Sequence, residues 1–233
     1  MHVPDGFFDA TTSVGAGVFS AGTIAVGLRK AADDLSDRLA PMAGLVAAFI
    51  FALQLINFPV ASGTSGHLIG GALAAVLVGP WVAIVCLSIV LFVQALLFAD
   101  GGLSAYGINV ILMAIVPVVI GYGAFVLART LLPKAKSGVV ASSAIGAALS
   151  VPVAAATFAL LFGIGGTIDL DFRSVLVAMV GTHVLIGIGE AAITAAVVSA
   201  VVGTRPDLVH GATALVTRLD LRTSPAAEPD VAA

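Results

Sequence analysis

Residues 105–131 read AYGINVILMAIVPVVIGYGAFVLARTL, and this stretch decides the fold class. No charged residue stands in it before Arg129. The hydrocarbon core of a bilayer, about 30 Å thick, is spanned by roughly 20 apolar residues in a helix that rises 1.5 Å per residue. The stretch therefore predicts a transmembrane helix.

Six further apolar segments lie on either side of this one. They occupy residues 11–28, 41–58, 67–79, 80–98, 138–163 and 173–202. Together the segments predict an all-α, polytopic membrane bundle of about seven transmembrane helices. The segment at 67–79 is short, and it is either a short or half-span helix or the first half of a helix that kinks at Gly79-Pro80.

The basic residues indicate the orientation of the bundle. If the chain turns at Gly79-Pro80, nine of the ten Lys and Arg residues fall on one side of the membrane, and only Arg173 falls on the other. If residues 67–98 form one span, the division is six to four. Lys and Arg mark the cytoplasmic side, so we expect seven spans, with the N-terminus outside and the C-terminus inside. Residues 1–202 then form the membrane domain, and 203–233 a flexible cytoplasmic tail.

The composition excludes several classes of protein. The chain has 233 residues, of which 60% are apolar and 10% are charged, and its mean hydropathy is +1.15. Soluble domains carry about 25% charged residues, so a soluble enzyme and a disordered protein are both excluded. A net charge of −3 argues against a nucleic-acid binder. Cys86 is the single cysteine, which rules out internal disulfides.

The first residues, MHVPDGFF, suggest a metal chelator. A large second residue should block removal of Met1, which then keeps its α-amine. That amine, the amide nitrogen of His2 and the Nδ1 atom of His2 could bind one metal ion in fused chelate rings. Such donors suit Ni(II), Cu(II) or Co(II). His67, expected at the same outer face, is the candidate for a fourth nitrogen ligand.

Each histidine also has a simpler interpretation. A histidine at position 2 can arise by chance, and a histidine at a helix start is often an interfacial or capping residue. Spacing alone leaves these alternatives open.

Blocks of sequence along residues 1–202 resemble the CbiM/NikM family, the substrate-capture subunits of energy-coupling-factor transporters for cobalt and nickel. They are MHVPDGF at 1–7, NFPV at 57–60, GTSGHL at 63–68, GPW at 79–81, QALLFADGGL at 94–103, NV at 109–110, MA at 113–114 and HVLIGIGEA at 183–191. The chain differs from the usual family pattern at Phe8 and Leu112.

The resemblance implies a site, a substrate and partners. Met1, His2 and His67 would be the metal ligands, and Co(II) or Ni(II) would be the transported substrate rather than a cofactor. The partners would be two ATPase subunits, a transmembrane coupling subunit and a small auxiliary membrane subunit, in a bacterial or archaeal cell membrane. The chain would not itself be an enzyme. Cobalt, linked to cobalamin biosynthesis, is slightly favoured over nickel.

Further polar residues at or within the predicted spans include Gln54, Asn57, Gln94, Asn109, His183 and Glu190. They could support the metal site or line a transit path, or they could make ordinary interhelical hydrogen bonds. His183 and Glu190 also leave open an intramembrane metalloenzyme, and a stand-alone carrier is a further alternative. No GxxxxGK[ST] loop for ATP is present.

Overall fold

The computed structural model describes residues 1–34, 39–59 and 65–215. Its helices are α1 (Ala10–Asp34), α2 (Leu39–Gln54), α3 (Gly71–Val78), α4 (Pro80–Leu97), α5 (Tyr106–Val110), α6 (Val116–Leu131), α7 (Lys136–Gly165) and α8 (Phe172–Thr204). A π-helical turn, Ile111–Ile115, joins α5 to α6, and two short strands, β1 (Asn57–Pro59) and β2 (Ser65–His67), precede α3.

The predicted membrane bundle is confirmed. Among the described residues, five helical stretches are long and apolar enough to cross a bilayer, namely Ala10–Ala32, Pro80–Leu97, Tyr106–Leu131, Lys136–Gly165 and Phe172–Thr204. Large apolar side chains such as Val18, Ile164 and Leu185 are 70% or more exposed. Such exposure is expected of a surface that faces lipid rather than water. The number of crossings and the orientation stay predictions.

The segment predicted at 67–79 contains a separate helix of only eight residues, α3, in which every residue is buried. It ends at Gly79, whose φ of +87° is a conformation that glycine adopts readily, and Pro80 begins α4. One kinked helix over 68–98 is therefore wrong. α3 lies in the centre of the bundle, against α4 and α6.

The π-helical turn interrupts what would otherwise be one helix over 106–131. Pro117 follows the turn and has no backbone N–H to continue the regular hydrogen-bond ladder. Leu112, a departure from the family pattern, is fully buried in this turn. π-turns of this kind often mark functional sites, and this one directly follows Asn109.

The end of the apolar segment at 41–58 differs from the sequence prediction. The apolar segment at 41–58 was expected to be helical throughout, but α2 ends at Gln54. β1 then pairs antiparallel with β2, and Asn57 lies opposite His67. Pro59 accounts for this because the residue before a proline disfavours helical backbone angles. The hairpin brings the chain back to α3.

The start of the predicted tail packs against the bundle. Residues Pro206–Leu208 and His210–Leu215 form two 3₁₀ turns, in which Val209 and Ala212 are fully buried. Residues 216–233, the rest of the predicted tail, lie outside the described residues.

Candidate metal centre

The N-terminal segment, residues 1–9, is bonded to the bundle by its backbone. The Val3 amide donates to Oδ1 of Asn109 at 2.8 Å, and Nδ2 of Asn109 donates back to the Val3 carbonyl at 3.1 Å. The Gly102 amide donates to the same carbonyl at 2.8 Å. The Asn109 side chain therefore pairs with the Val3 backbone through two hydrogen bonds, as a neighbouring strand would. This pairing fixes how deeply Met1 and His2 enter the bundle.

The rest of the segment is held at two further places. The Asp5 carboxylate accepts hydrogen bonds from the backbone amide and the hydroxyl of Ser104. The Thr167 hydroxyl donates to the Gly6 carbonyl, and the Thr167 backbone amide donates to the Phe7 carbonyl. The backbone amide of Asp9 donates to the Gly165 carbonyl at 2.8 Å. The N-terminus is thus tied to the loops that follow α4 and α7.

Aromatic packing supports these hydrogen bonds. The rings of Phe7 and Phe8 contact Phe158 on α7, with centroids 5.8 and 6.1 Å away, and Phe7 also lies 5.8 Å from Phe162. Phe8 is only 5% exposed. Phe8 therefore belongs to the core that anchors the terminus.

The His2 ring is held in one orientation by α4 and the loop after it. Its Nε2 donates to Oε1 of Gln94 at 3.1 Å. Its Nδ1 lies 3.2 Å from a carboxylate oxygen of Asp100 but makes no hydrogen bond to any residue that the structure describes. With the proton on Nε2, Nδ1 carries a lone pair, and Nδ1 is the atom that the chelate requires.

In His67, Nε2 rather than Nδ1 is the ring nitrogen that could bind a metal ion. Its Nδ1 donates to the Leu68 carbonyl at 2.8 Å, so that Nε2 carries the lone pair. Nε2 is buried and has no hydrogen-bond partner among the described residues. The rings of His2 and His67 lie side by side, with centroids 4.6 Å apart. A buried polar atom without a partner is costly, and a metal ion would satisfy this one.

Electrostatics keep these nitrogens neutral at physiological pH. Burial lowers the pKa of the Met1 α-amine to about 5, although the Asp100 carboxylate acts in the opposite direction. Burial, and then the charge of the α-amine, lower the pKa of His2 to about 4. Burial first, and then the charges of the α-amine and His2, hold the pKa of His67 well below its usual range. Nitrogen ligands bind metals in their deprotonated form, so the groups are ready to coordinate.

The loop that closes over His2 depends on glycine. Gly101 has a φ of +95°, and a Cβ placed there would lie 2.9 Å from Nδ2 of Asn109 and 3.3 Å from Cδ2 of His2. A side chain at this position would therefore disturb both the anchor and the imidazole.

We expect Asn109→Ala to weaken metal binding without removing any proposed ligand. Both backbone bonds to Val3 would be lost, and the effect of losing such supporting partners is about 10- to 100-fold in metal affinity. Calorimetric titration with Ni(II) measures it. Ser150→Ala is a matched control, because Ser150 is equally buried but bonds only within α7. Equal affinities in the two variants would contradict the anchoring role.

The sequence-predicted residues separate into two groups. Met1, His2, His67, Gln94 and Asn109 meet at the N-terminal segment. Asp100 also lies beside His2, a proximity for which the sequence carries no signal beyond the glycine-rich loop that holds Asp100.

His183 and Glu190 are each hydrogen-bonded to backbone groups, and no hydrogen bond joins the two side chains within the described residues. His183 donates from Nδ1 to the Met179 carbonyl, and both carboxylate oxygens of Glu190 accept backbone N–H groups. Within 1–34, 39–59 and 65–215, no three His, Cys, Asp or Glu side chains converge as a metal-binding group. A centre built from main-chain nitrogens and two imidazoles, as the sequence predicts, would not register as such a group.

Comparison with known proteins identifies the family. A family model described as the cobalt uptake substrate-specific transmembrane region, CbiM, matches residues 2–208. The chain belongs to the CbiM family. It is accordingly a multi-pass membrane protein of the cobalt and nickel transport type.

Relatives of this CbiM-family chain carry transport names. It is 40% identical over 212 residues to a putative metal transport protein of Haloquadratum walsbyi, covering 90% of this chain and 93% of the relative. It is 37% identical to a putative fused nickel transport protein NikMN of Archaeoglobus fulgidus, covering 90% of this chain and 68% of the relative. It is 34% identical to the cobalt transport protein CbiM of Sorangium cellulosum, covering 72% and 76%.

Two solved structures share the fold. A truncated transition metal transporter superposes with a TM-score of 0.81 at 31% identity, covering 87% of this chain and 99% of the other. A second transition metal transporter gives a TM-score of 0.80 at 32% identity, covering 86% and 92%.

Proposed function

We propose that this chain captures Co(II) or Ni(II) for an energy-coupling-factor transporter. The four donors are the Met1 α-amine, the amide nitrogen and Nδ1 of His2, and Nε2 of His67. The observation that carries the proposal is that Nε2 of His67 is buried beside the His2 ring and that neither it nor Nδ1 of His2 has a hydrogen-bond partner in the described part of the chain. The proposal extends the transport role of the family to particular atoms.

The chemistry of the donors favours late first-row metals. An amine, a deprotonated amide and two imidazoles are all nitrogen ligands, and a planar arrangement suits Ni(II) and Cu(II) more than Mg(II) or Ca(II). Asp100, 3.2 Å from Nδ1 of His2, would offset part of the charge of the bound cation. Cobalt remains the slightly favoured substrate, linked to cobalamin biosynthesis.

Releasing an ion held by four nitrogen ligands requires energy, which partner subunits would supply. We assign ATP hydrolysis to two cytoplasmic ATPase subunits and the transmission of motion to a coupling subunit. Some relatives are named fused NikMN proteins, and that name indicates an N component joined to the M part. A separate auxiliary N subunit is therefore our expectation for this chain, placed in a bacterial or archaeal cell membrane.

Binding should release about one proton per metal ion at pH 7. The amine and both imidazoles are already neutral because their pKa values are lowered, so only the His2 amide must lose a proton. The logarithm of affinity should rise by about one per pH unit between about pH 6 and 8. Below about pH 5 it should fall more steeply as the amine becomes protonated. Calorimetry in buffers of different ionisation enthalpy counts the protons, and zero released protons would exclude the amide as a donor.

Titration of the full chain in lipid nanodiscs tests the proposed function directly. We expect one Co(II) or Ni(II) per chain and no comparable binding of Mg(II). Absence of Co(II) and Ni(II) binding would overturn the proposal. Vesicles containing the chain alone should bind the metal but not accumulate it without ATP and partners. Gradient-driven accumulation would favour a stand-alone carrier instead.

A further inference from the structure

The short stretch that joins His67, the last residue of β2, to α3 forms no regular helix or strand. Its backbone groups therefore need other hydrogen-bond partners. Residues 67–70 run from the end of β2 to the start of α3 through the buried interior. Nδ1 of His67 bonds the Leu68 carbonyl, and Nε2 of Gln54 donates to the Ile69 carbonyl at 2.8 Å. Side chains, rather than a regular ladder, therefore fix this stretch.

Glu190, on α8, accepts hydrogen bonds from two backbone amides of this stretch. Its Oε2 accepts from the Ile69 amide at 2.7 Å, and its Oε1 accepts from the Gly70 amide at 2.9 Å. Glu190 is 2% exposed, and within the described ranges it makes no ion pair with Lys, Arg or His. Two consecutive backbone N–H groups thus share one buried carboxylate, one oxygen each.

We propose that Glu190 is a positioning residue for the metal site, acting through His67. This inference rests on the proposed function. A carboxylate at this place fixes the position of the backbone at residues 67–70. The hydrogen bond from His67 to the Leu68 carbonyl then fixes the orientation of the imidazole relative to that backbone. Supporting groups of this kind orient metal ligands and are needed for affinity.

Only a carboxylate matches both N–H groups. A glutamine offers one oxygen acceptor, and its NH₂ group would face the second N–H, donor against donor. The stretch would then shift or rotate, and Nε2 of His67 would leave the plane that the other three nitrogens define. The amine, amide and imidazole of the first two residues would keep the metal as a weaker, three-nitrogen site.

A double-mutant cycle with Ni(II) as the probe tests this. We compare wild type, Glu190→Gln, His67→Ala and the double variant by calorimetry and by the d–d absorption band of bound Ni(II). Glu190→Gln should lower affinity about 10- to 100-fold. It should also move the absorption band to longer wavelength, toward that of His67→Ala. In the double variant Glu190→Gln should cause no further loss, because the ligand on which it acts is already gone.

The control is Thr194→Val, which alters a buried polar residue one turn further along the same face of α8. It should leave both affinity and spectrum unchanged. If His67→Ala weakens binding but Glu190→Gln does not, or if the two losses add, the positioning role is overturned while the proposed site stands. If His67→Ala has no effect, the proposed site itself fails.

A second variant tests the same stretch if Glu190→Gln does not fold. Gln54→Leu removes the hydrogen bond to the Ile69 carbonyl from α2 rather than α8. It should give the same spectral change and the same lack of additivity with His67→Ala. A normal spectrum in this variant would show that the stretch does not control His67, which overturns the inference.

Discussion

Acetylating the Met1 α-amine, or placing one residue before it, should lower the affinity for Ni(II) and Co(II) by at least about a thousandfold, roughly 4 kcal/mol. Either change removes one donor atom and breaks one chelate ring. Met1 is 2% exposed, so an added residue would also displace the segment that Asn109 holds. Calorimetric titration of purified protein measures the loss.

The control adds one residue after Ala233 instead, at the other end of the chain. Thermal unfolding without metal then separates lost coordination from lost folding, because a variant that has lost only a ligand keeps an unfolding temperature close to that of wild type. Unchanged metal affinity after acetylation would remove the amine from the ligand set.

His2→Gln should cause a loss of similar size, again about a thousandfold or more. Glutamine is large enough that Met1 should still be retained, whereas alanine at this position would invite its removal. The variant keeps the amine and the amide but loses Nδ1, the atom that joins them in fused rings. Calorimetry with Ni(II) measures the change.

Gln94→Leu is the informative companion to His2→Gln. It removes the acceptor of the 3.1 Å hydrogen bond from Nε2 of His2 but leaves every proposed ligand in place. We expect a smaller loss of about 10- to 100-fold. If His2→Gln binds Ni(II) as tightly as Gln94→Leu does, His2 is not a ligand.

Hydropathy predicted the long helices because their lipid-facing sides must be apolar. α7 and α8 extend only a few residues beyond the predicted segments 138–163 and 173–202. The same signal cannot distinguish a span from a short helix that is buried on all sides. α3, with eight buried residues, is therefore apolar for a different reason, and its length was not apparent.

The site was predictable where its chemistry is local and not where it depends on packing. Adjacent positions bring the amine, the amide and the imidazole of Met1 and His2 together in any fold. The orientation of His67 depends on Gln54 and Glu190, 13 residues before it and 123 after it. Polar residues within spans were flagged, but sequence does not indicate which backbone groups they meet.

The contacts of the N-terminal segment also impose an order on biogenesis. The residues translated first bond to Asn109, Gly165 and Thr167, the last of which lies 161 positions after Gly6. A ribosome must therefore deliver most of the membrane domain before Met1 and His2 can dock. Nascent or truncated chains lacking α7 should be unable to retain nickel. Binding of nickel would then indicate that the membrane domain has been assembled completely.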